Sequence, residues 1–259
     1  MAHAIGRHAL DGNDHEIAPE QPDLAKRRPP EEGAAFNEVE TTIHARRSVR
    51  TYRSKQVPEY LVRRVLEAGR FAPSAGNTQS WRFLVVRDPA LLADMTSFIT
   101  DRIGKASSYL DFTRPGTKAI RWLTEFLMVR RPQELHPTPL AGFSAIADGT
   151  LGIFHGAPTV IFILYDERGA GSPMLDAGIA GQNMCLTAHS MGLGTCWVSF
   201  AKVLEYSPRF KRALDIRHPY HIASTLALGY PRGMPDGFVQ REKSQSLWID
   251  EGGERRQVE

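Results

Sequence analysis

Apolar positions recur along this chain with two periods, and their alternation outlines a fold. Between 58 and 71, Leu61, Val62, Val65, Leu66 and Gly69 fall on one stripe, while Arg63, Arg64, Glu67 and Arg70 point away. That spacing predicts an amphipathic helix. Pro58 suits its first position, and Pro73 stops it, because the residue ahead of a proline resists helix geometry. Short unbroken apolar runs read instead as buried strands: FLVV at 83–86, the run 159–165 after Pro158, TCWV at 195–198, and 222–228 closed by GYP.

Further helices are predicted over 36–47, with Val39 and Ile43 on one face, and over 89–103, 118–130, 143–154 and 201–214. The segment 174–191 is apolar on nearly every side, as in a helix buried in a large core or an interface. Its Ala177, Gly178, Ala180 and Gly181 would admit another backbone closely. The tail from Met234 reads as polar and irregular until Leu247, Trp248 and Ile249. Elements alternate from a helical start without a clean break, which predicts one α+β domain over 36–250, a small mixed sheet flanked by helices. Residues 1–35 carry Pro19, Pro22, Pro29 and Pro30 among polar side chains, and no period survives there. A flexible N-terminal arm is expected; an arm wrapped around a partner subunit stays open.

Composition narrows the class of function. The longest apolar run, Val160 to Tyr165, is far too short for a membrane span. The N-terminus lacks a basic region followed by an apolar core, so a cytoplasmic protein without membrane contact is expected. A net charge of +3, from 32 Lys and Arg against 29 Asp and Glu, does not suggest a nucleic-acid partner. Cys185 and Cys196 lack CxxC spacing and read as reduced core thiols. The nine histidines show no metal-ligand spacing, and no metal is expected.

Three stretches could carry chemistry. In ARRSVR at 45–50, Arg46, Arg47 and Arg50 offer paired donors to phosphate oxygens and Ser48 adds a hydroxyl. A solvated basic face is an equal alternative, and a continued helix would put Arg46 and Arg50 on one side. In RFAPSAGNTQSWRF at 70–83, Asn77 and Gln79 carry amides that donate and accept, while Ser74, Ala75 and Gly76 allow close backbone approach. Taken alone, it is an ordinary surface loop. In GLGTCWVSF at 192–200, a glycine turn enters a strand that ends at Ser199, whose N–H could point into a site. No dinucleotide fingerprint, phosphate loop or nucleophile elbow is present.

In this order, RRSVRTY (46–52), the helix, loop and strand of 58–86, DAGIAGQNMCLTAHSMGLGTCWVSF (176–200) and LALGYP (226–231) resemble the flavin-dependent nitroreductase family, over roughly 38–105 and 143–245. The resemblance implies a nitroreductase-like fold in a domain-swapped-type homodimer, with FMN at the interface. It implies Arg46, Ser48 and Arg50, with Arg47 alongside, at the phosphate, the ribityl chain or the pyrimidine edge. It implies Pro73, Ser74, Ala75 and Asn77 of the other subunit at the ring, Val198 and the Ser199 N–H at the flavin N5, and Arg241 and Lys243 completing the phosphate site. No side chain is assigned as an obligatory proton donor. NAD(P)H would be the electron donor, and a nitroaromatic, quinone or other small aromatic the acceptor. Two positions depart from the family pattern. Ser80 replaces a common loop proline, and Ser199 stands where Gly or Ala is frequent. An insertion is expected at about 106–142, with Tyr109, Phe112, Trp122 and Phe126 as candidates to line a substrate cover or simply to pack a core. A flavin store or sensor without turnover, or a reductive dehalogenase of the same family, stays as an alternative.

Overall fold

The computed structural model describes residues 31–109, 145–146, 152–233, 241 and 243–258. The helix expected at 118–130, most of that at 143–154, the arm but for 31–35 and the insertion but for 106–109 lie outside the described residues.

Helix α1 (Glu38–Ala45) buries none of its residues, and Val39 and Ile43 on its apolar face are 65% and 50% exposed. Helix α2 (Glu59–Arg70) buries Val62, Val65 and Gly69, the stripe read from the sequence. Pro58 sits one place earlier than expected, as its N-cap, with an extended ψ of 144°. A 3-10 turn (Ala75–Asn77) leads into β1 (Trp81–Val86), which starts two residues before FLVV. Then come α3 (Pro89–Tyr109), β2 (Thr159–Asp166), α4 (Pro173–Ser190) and β3 (Gly194–Val198). A 3-10 helix (Ser199–Tyr206), α5 (Pro208–Ala213) and β4 (Tyr220–Gly229) complete the body.

The four strands lie in the order β1-β2-β4-β3 and pair antiparallel throughout. Beyond β3 the chain adds one isolated parallel bridge, Ser48 with Thr195; the four-stranded sheet itself is antiparallel rather than the mixed sheet expected. Side chains alternate across β2. Val160, Phe162 and Leu164 face a layer with Met95 and Ile99 of α3 and Phe210 of α5. Ile161 and Ile163 face Val62 and Val65 of α2 and Ala177 and Met184 of α4. A strand covered on both faces has no polar side, which is why VIFILY is unbroken. Each fully buried side chain of this size contributes about 1.5–3 kcal/mol.

Three further expectations need correction. The helix over 201–214 is two pieces: Ser207 is extended at φ −109°, ψ 111°, because Pro208 disfavours helical geometry before it. Residues 153 and 154, expected to end the helix over 143–154, lie instead in a turn over 153–156 with His155 at φ 55°. What approaches Gly181 is the Trp197 ring, not a backbone: a Cβ there would lie 2.2 Å from it, whereas Gly178 faces open space. The tail's Leu247, Trp248 and Ile249, where the irregular reading stopped, lie in β5 (Ser246–Ile249), which pairs with β6 (Arg255–Val258).

Candidate functional site

The arginine cluster begins where α1 ends. The Arg46 N–H donates to Thr42 O at 3.0 Å, and the helix goes no further, so Arg46 and Arg50 do not share a helical face. Instead the chain runs along the β3 edge, with the Val49 N–H donating to Thr195 O at 2.9 Å. Val49 is buried against Gly194, where a Cβ would come within 2.7 Å of it. Alternation in extended backbone then turns Ser48 and Arg50 away from the core. Tyr52 locks the segment by donating its hydroxyl to Val49 O at 2.6 Å, and burial pushes that phenol far above its ordinary pKa.

Arg46 and Arg50 have no carboxylate partner among the described residues. Their charges reach the groups around them. His189 and His155 are pushed below the usual imidazole value, by burial first and then by Arg46 and Arg50 respectively. Burial raises the thiols of Cys185 and Cys196, and both arginines act on Cys196. Both cysteines are free and buried, as expected. Uncompensated guanidinium groups beside a serine hydroxyl suit an anionic group such as a phosphate.

The Ser74–Ser80 loop is unusually constrained. Gly76, Asn77 and Gln79 all have positive φ, at 58°, 55° and 48°. For the two non-glycine residues this costs about 1–2 kcal/mol each. Local bonds offset the cost. Ser74 Oγ accepts from the Gln79 N–H at 2.9 Å, and Gln79 Nε2 donates to Asn77 Oδ1 at 3.1 Å. The Ala75 N–H donates to Asp176 Oδ2 of α4 at 3.3 Å. Pro73 and Asn77 are exposed, and Ser74 and Ala75 half-buried. Exposed amides on a loop of small residues suit the polar edge of a flat ring.

Val198 is buried, its carbonyl accepting from Thr225 Oγ1 at 2.8 Å. Ser199 is exposed and opens the 3-10 helix, so its N–H has no partner within that helix. Arg241 and Lys243 are exposed, and no described contact joins them to the arginine cluster.

Strand order and register separate the loop from the arginines. Ser48 lies beyond β3, four strand steps from β1, or roughly 19 Å. It is level with Thr195, hence with Leu228 and Thr159, whereas Trp81 at the loop's end is level with Tyr165. The six residue steps along β2 from Thr159 to Tyr165 add roughly 20 Å, making the diagonal roughly 27 Å. Within one chain, the arginine cluster and the loop occupy opposite corners of the sheet. Val198 lies between them in height, level with Thr225 and Phe162.

Two residues of interest carry weak sequence signals. Asp176 is the one acidic residue of α4, whose residues from Pro173 to Gly181 are otherwise apolar, a signal that could have singled it out. His155 combines positive φ with a buried Nδ1 that has no partner among the described residues, and nothing in its neighbours foretells this. A groove of about 800 Å³ between α3 and the 152–158 turn is lined by Gln56, Arg87, Leu92 and Phe154 among others. Gln56 and Arg87 there bond to each other and to main-chain carbonyls, and neither corner of the sheet lines the groove.

Residues 43–230 match the nitroreductase family. The chain is 30% identical over 207 residues to a 4-nitrobenzoate reductase of Nocardioides sp., covering 76% of this chain and 81% of that one. Two solved structures share the fold. A nitroreductase with bound FMN from Bacteroides fragilis has a TM-score of 0.56 at 24% identity, over 84% of this chain and 97% of that one. A nitroreductase with bound FMN from Desulfitobacterium hafniense has a TM-score of 0.60 at 21% identity, over 80% and 96%.

Proposed function

The chain belongs to the nitroreductase family, and from that premise we propose that it is a cytoplasmic, homodimeric, FMN-dependent NAD(P)H oxidoreductase with a site assembled from two chains. The observation that carries this reading is the separation of roughly 27 Å between the arginine cluster and the loop. Each has the groups for one part of a flavin nucleotide and lacks those for the other. A second copy with its loop beside this chain's arginines completes both. The exposed Val39 and Ile43 of α1 supply apolar surface next to the arginines for such a contact.

In this arrangement Arg46, Ser48 and Arg50, with Arg47 alongside, hold the phosphate, ribityl chain or pyrimidine edge, and Arg241 and Lys243 join from the C-terminal segment. Pro73, Ser74, Ala75 and Asn77 of the partner subunit lie at the ring. FMN, when bound, supplies the hydride chemistry, taking two electrons from NAD(P)H and delivering them to the acceptor in a ping-pong sequence. The chain's part is to hold and orient. Arg50 sets a fixed positive charge near the edge where negative charge develops. The Ser199 N–H, unused within its helix, is a donor for the ring, and the small loop residues leave room for a flat substrate. The acceptor class is nitroaromatic, quinone or similar, and the name of the Nocardioides relative supports the first of these.

The absorbance spectrum of the purified protein, followed by anaerobic addition of NADPH or NADH, tests the reading. A yellow protein that bleaches with either is expected. A colourless protein that cannot take up FMN contradicts the proposal, and a yellow one that resists both nucleotides points to a store or sensor.

A further inference from the structure

The loop's internal hydrogen bonds set its shape but not its place. Two hydrogen bonds fasten it to the rest of the protein among the described residues. Asp166 N–H donates to Ser80 O at 2.7 Å, and Ala75 N–H donates to Asp176 Oδ2. The second bond starts the 3-10 turn that carries Asn77, and its acceptor is a carboxylate only 7% exposed. An ionised group so deeply buried is costly unless it is paired or stabilised. Here the first turn of α4 supplies the positive end of the helix dipole, and the Ala75 N–H a hydrogen bond, long at 3.3 Å.

The turn that leads into α4 fits the same two ends of the loop. A Cβ at Gly171 would come within 2.7 Å of the Ala75 Cβ, and one at Gly169 within 2.1 Å of Ser80 Oγ. Ala75 and Ser80 are therefore seated on the two glycines of one turn, and the carboxylate that follows the turn holds the Ala75 end.

We propose that Asp176 is a positioning residue: through the Ala75 N–H it sets the pose of the Ser74–Ser80 loop, and thereby where Asn77 meets the ring in the partner's site. This rests on the two-chain flavin site proposed above. Asp176 does not touch the cofactor in this account and exchanges no proton with it. Its contribution is that the loop is ordered before the cofactor arrives, so binding need not supply the ordering.

Asp176→Ala, Asp176→Asn and Gly171→Ala test this by amide hydrogen exchange of the loop peptide and by FMN affinity. Removing a charged acceptor is worth about tenfold or more in local opening. Asp176→Ala is therefore expected to speed loop exchange and weaken FMN binding about tenfold each. Asp176→Asn keeps an acceptor oxygen and is expected to recover most of both. Gly171→Ala crowds Ala75 and, because Gly171 stands at φ 70°, also strains the turn that seats it; it is expected to weaken FMN binding and speed loop exchange even if Asp176→Ala does not fold. Parent-like exchange in Asp176→Ala overturns the inference, as does Asp176→Asn as damaged as Asp176→Ala, or a Gly171→Ala that leaves the loop and the affinity unchanged. The exchange measurement needs no flavin. A parent that never binds FMN defeats the functional reading alone, and a flavin-loaded parent with an unaltered Asp176→Ala loop defeats the positioning role alone.

Discussion

Tyr52 ties the arginine segment to the sheet through one hydroxyl, which donates to Val49 O at 2.6 Å and lies 3.4 Å from Ala227 O. Tyr52→Phe leaves the ring packed and strips the donor, so a loss of about 1 kcal/mol in unfolding free energy is expected by urea titration. An unchanged midpoint would mean that packing alone holds Val49 and its neighbours. His155 makes a second residue-level case. Burial and the Arg50 charge hold its folded pKa below the ordinary 6.5. As pH falls through that value the unfolded chain takes up a proton that the folded chain resists, so stability declines toward acid; above it the term vanishes. His155→Asn keeps a residue that tolerates positive φ and removes the titration. The loss of stability between about pH 7.5 and about pH 5 is expected to be smaller in this variant, and an identical loss would place the acid sensitivity elsewhere.

At the scale of elements, α4 is the hub, and Gly181 sets how closely it sits on the sheet. A Cβ there would lie 2.2 Å from the Trp197 ring and 2.6 Å from Ile163 Cδ1, with no flexible chain end able to yield at the ring. Gly181→Ala is expected to cost about 1–3 kcal/mol by overpacking, read as a lowered thermal midpoint; a parent-like midpoint would show that α4 shifts freely. The elements legible in the sequence were those whose residues meet one environment. VIFILY is buried on both faces, and α2 shows a stripe because Val62 and Val65 alone among its valines and leucines are fully covered. The rest failed for identifiable reasons. Apolar spacing runs through 201–214, but Pro208 forces Ser207 out of the helix. In the terminal hairpin, Leu247, Trp248 and Ile249 are all exposed, so no core pattern marks a strand. The loop's small residues were visible as a candidate wall, yet its left-handed Asn77 and Gln79 depend on bonds to Ser74 and to each other that composition does not announce.

For the whole molecule, the chain order of the motifs says nothing of where they meet. Arginine cluster, loop and β3 end follow one another in the sequence, and only the order β1-β2-β4-β3 with its register puts the first two at opposite corners. The proposed site is therefore shared between two copies, each giving its arginines to one flavin and its loop to the other. Co-expression of Arg46→Ala with Asn77→Ala chains tests this most directly. Either variant alone is expected to bind FMN at least tenfold more weakly than the parent, a loss of about 1.4 kcal/mol or more. In a mixed dimer one site carries both defects and the other carries neither. Random pairing then restores intact sites to about a quarter of the parent's flavin content. Recovery near that level is the predicted result; a mixture holding no more flavin than the two variants apart would contradict a site built from two chains.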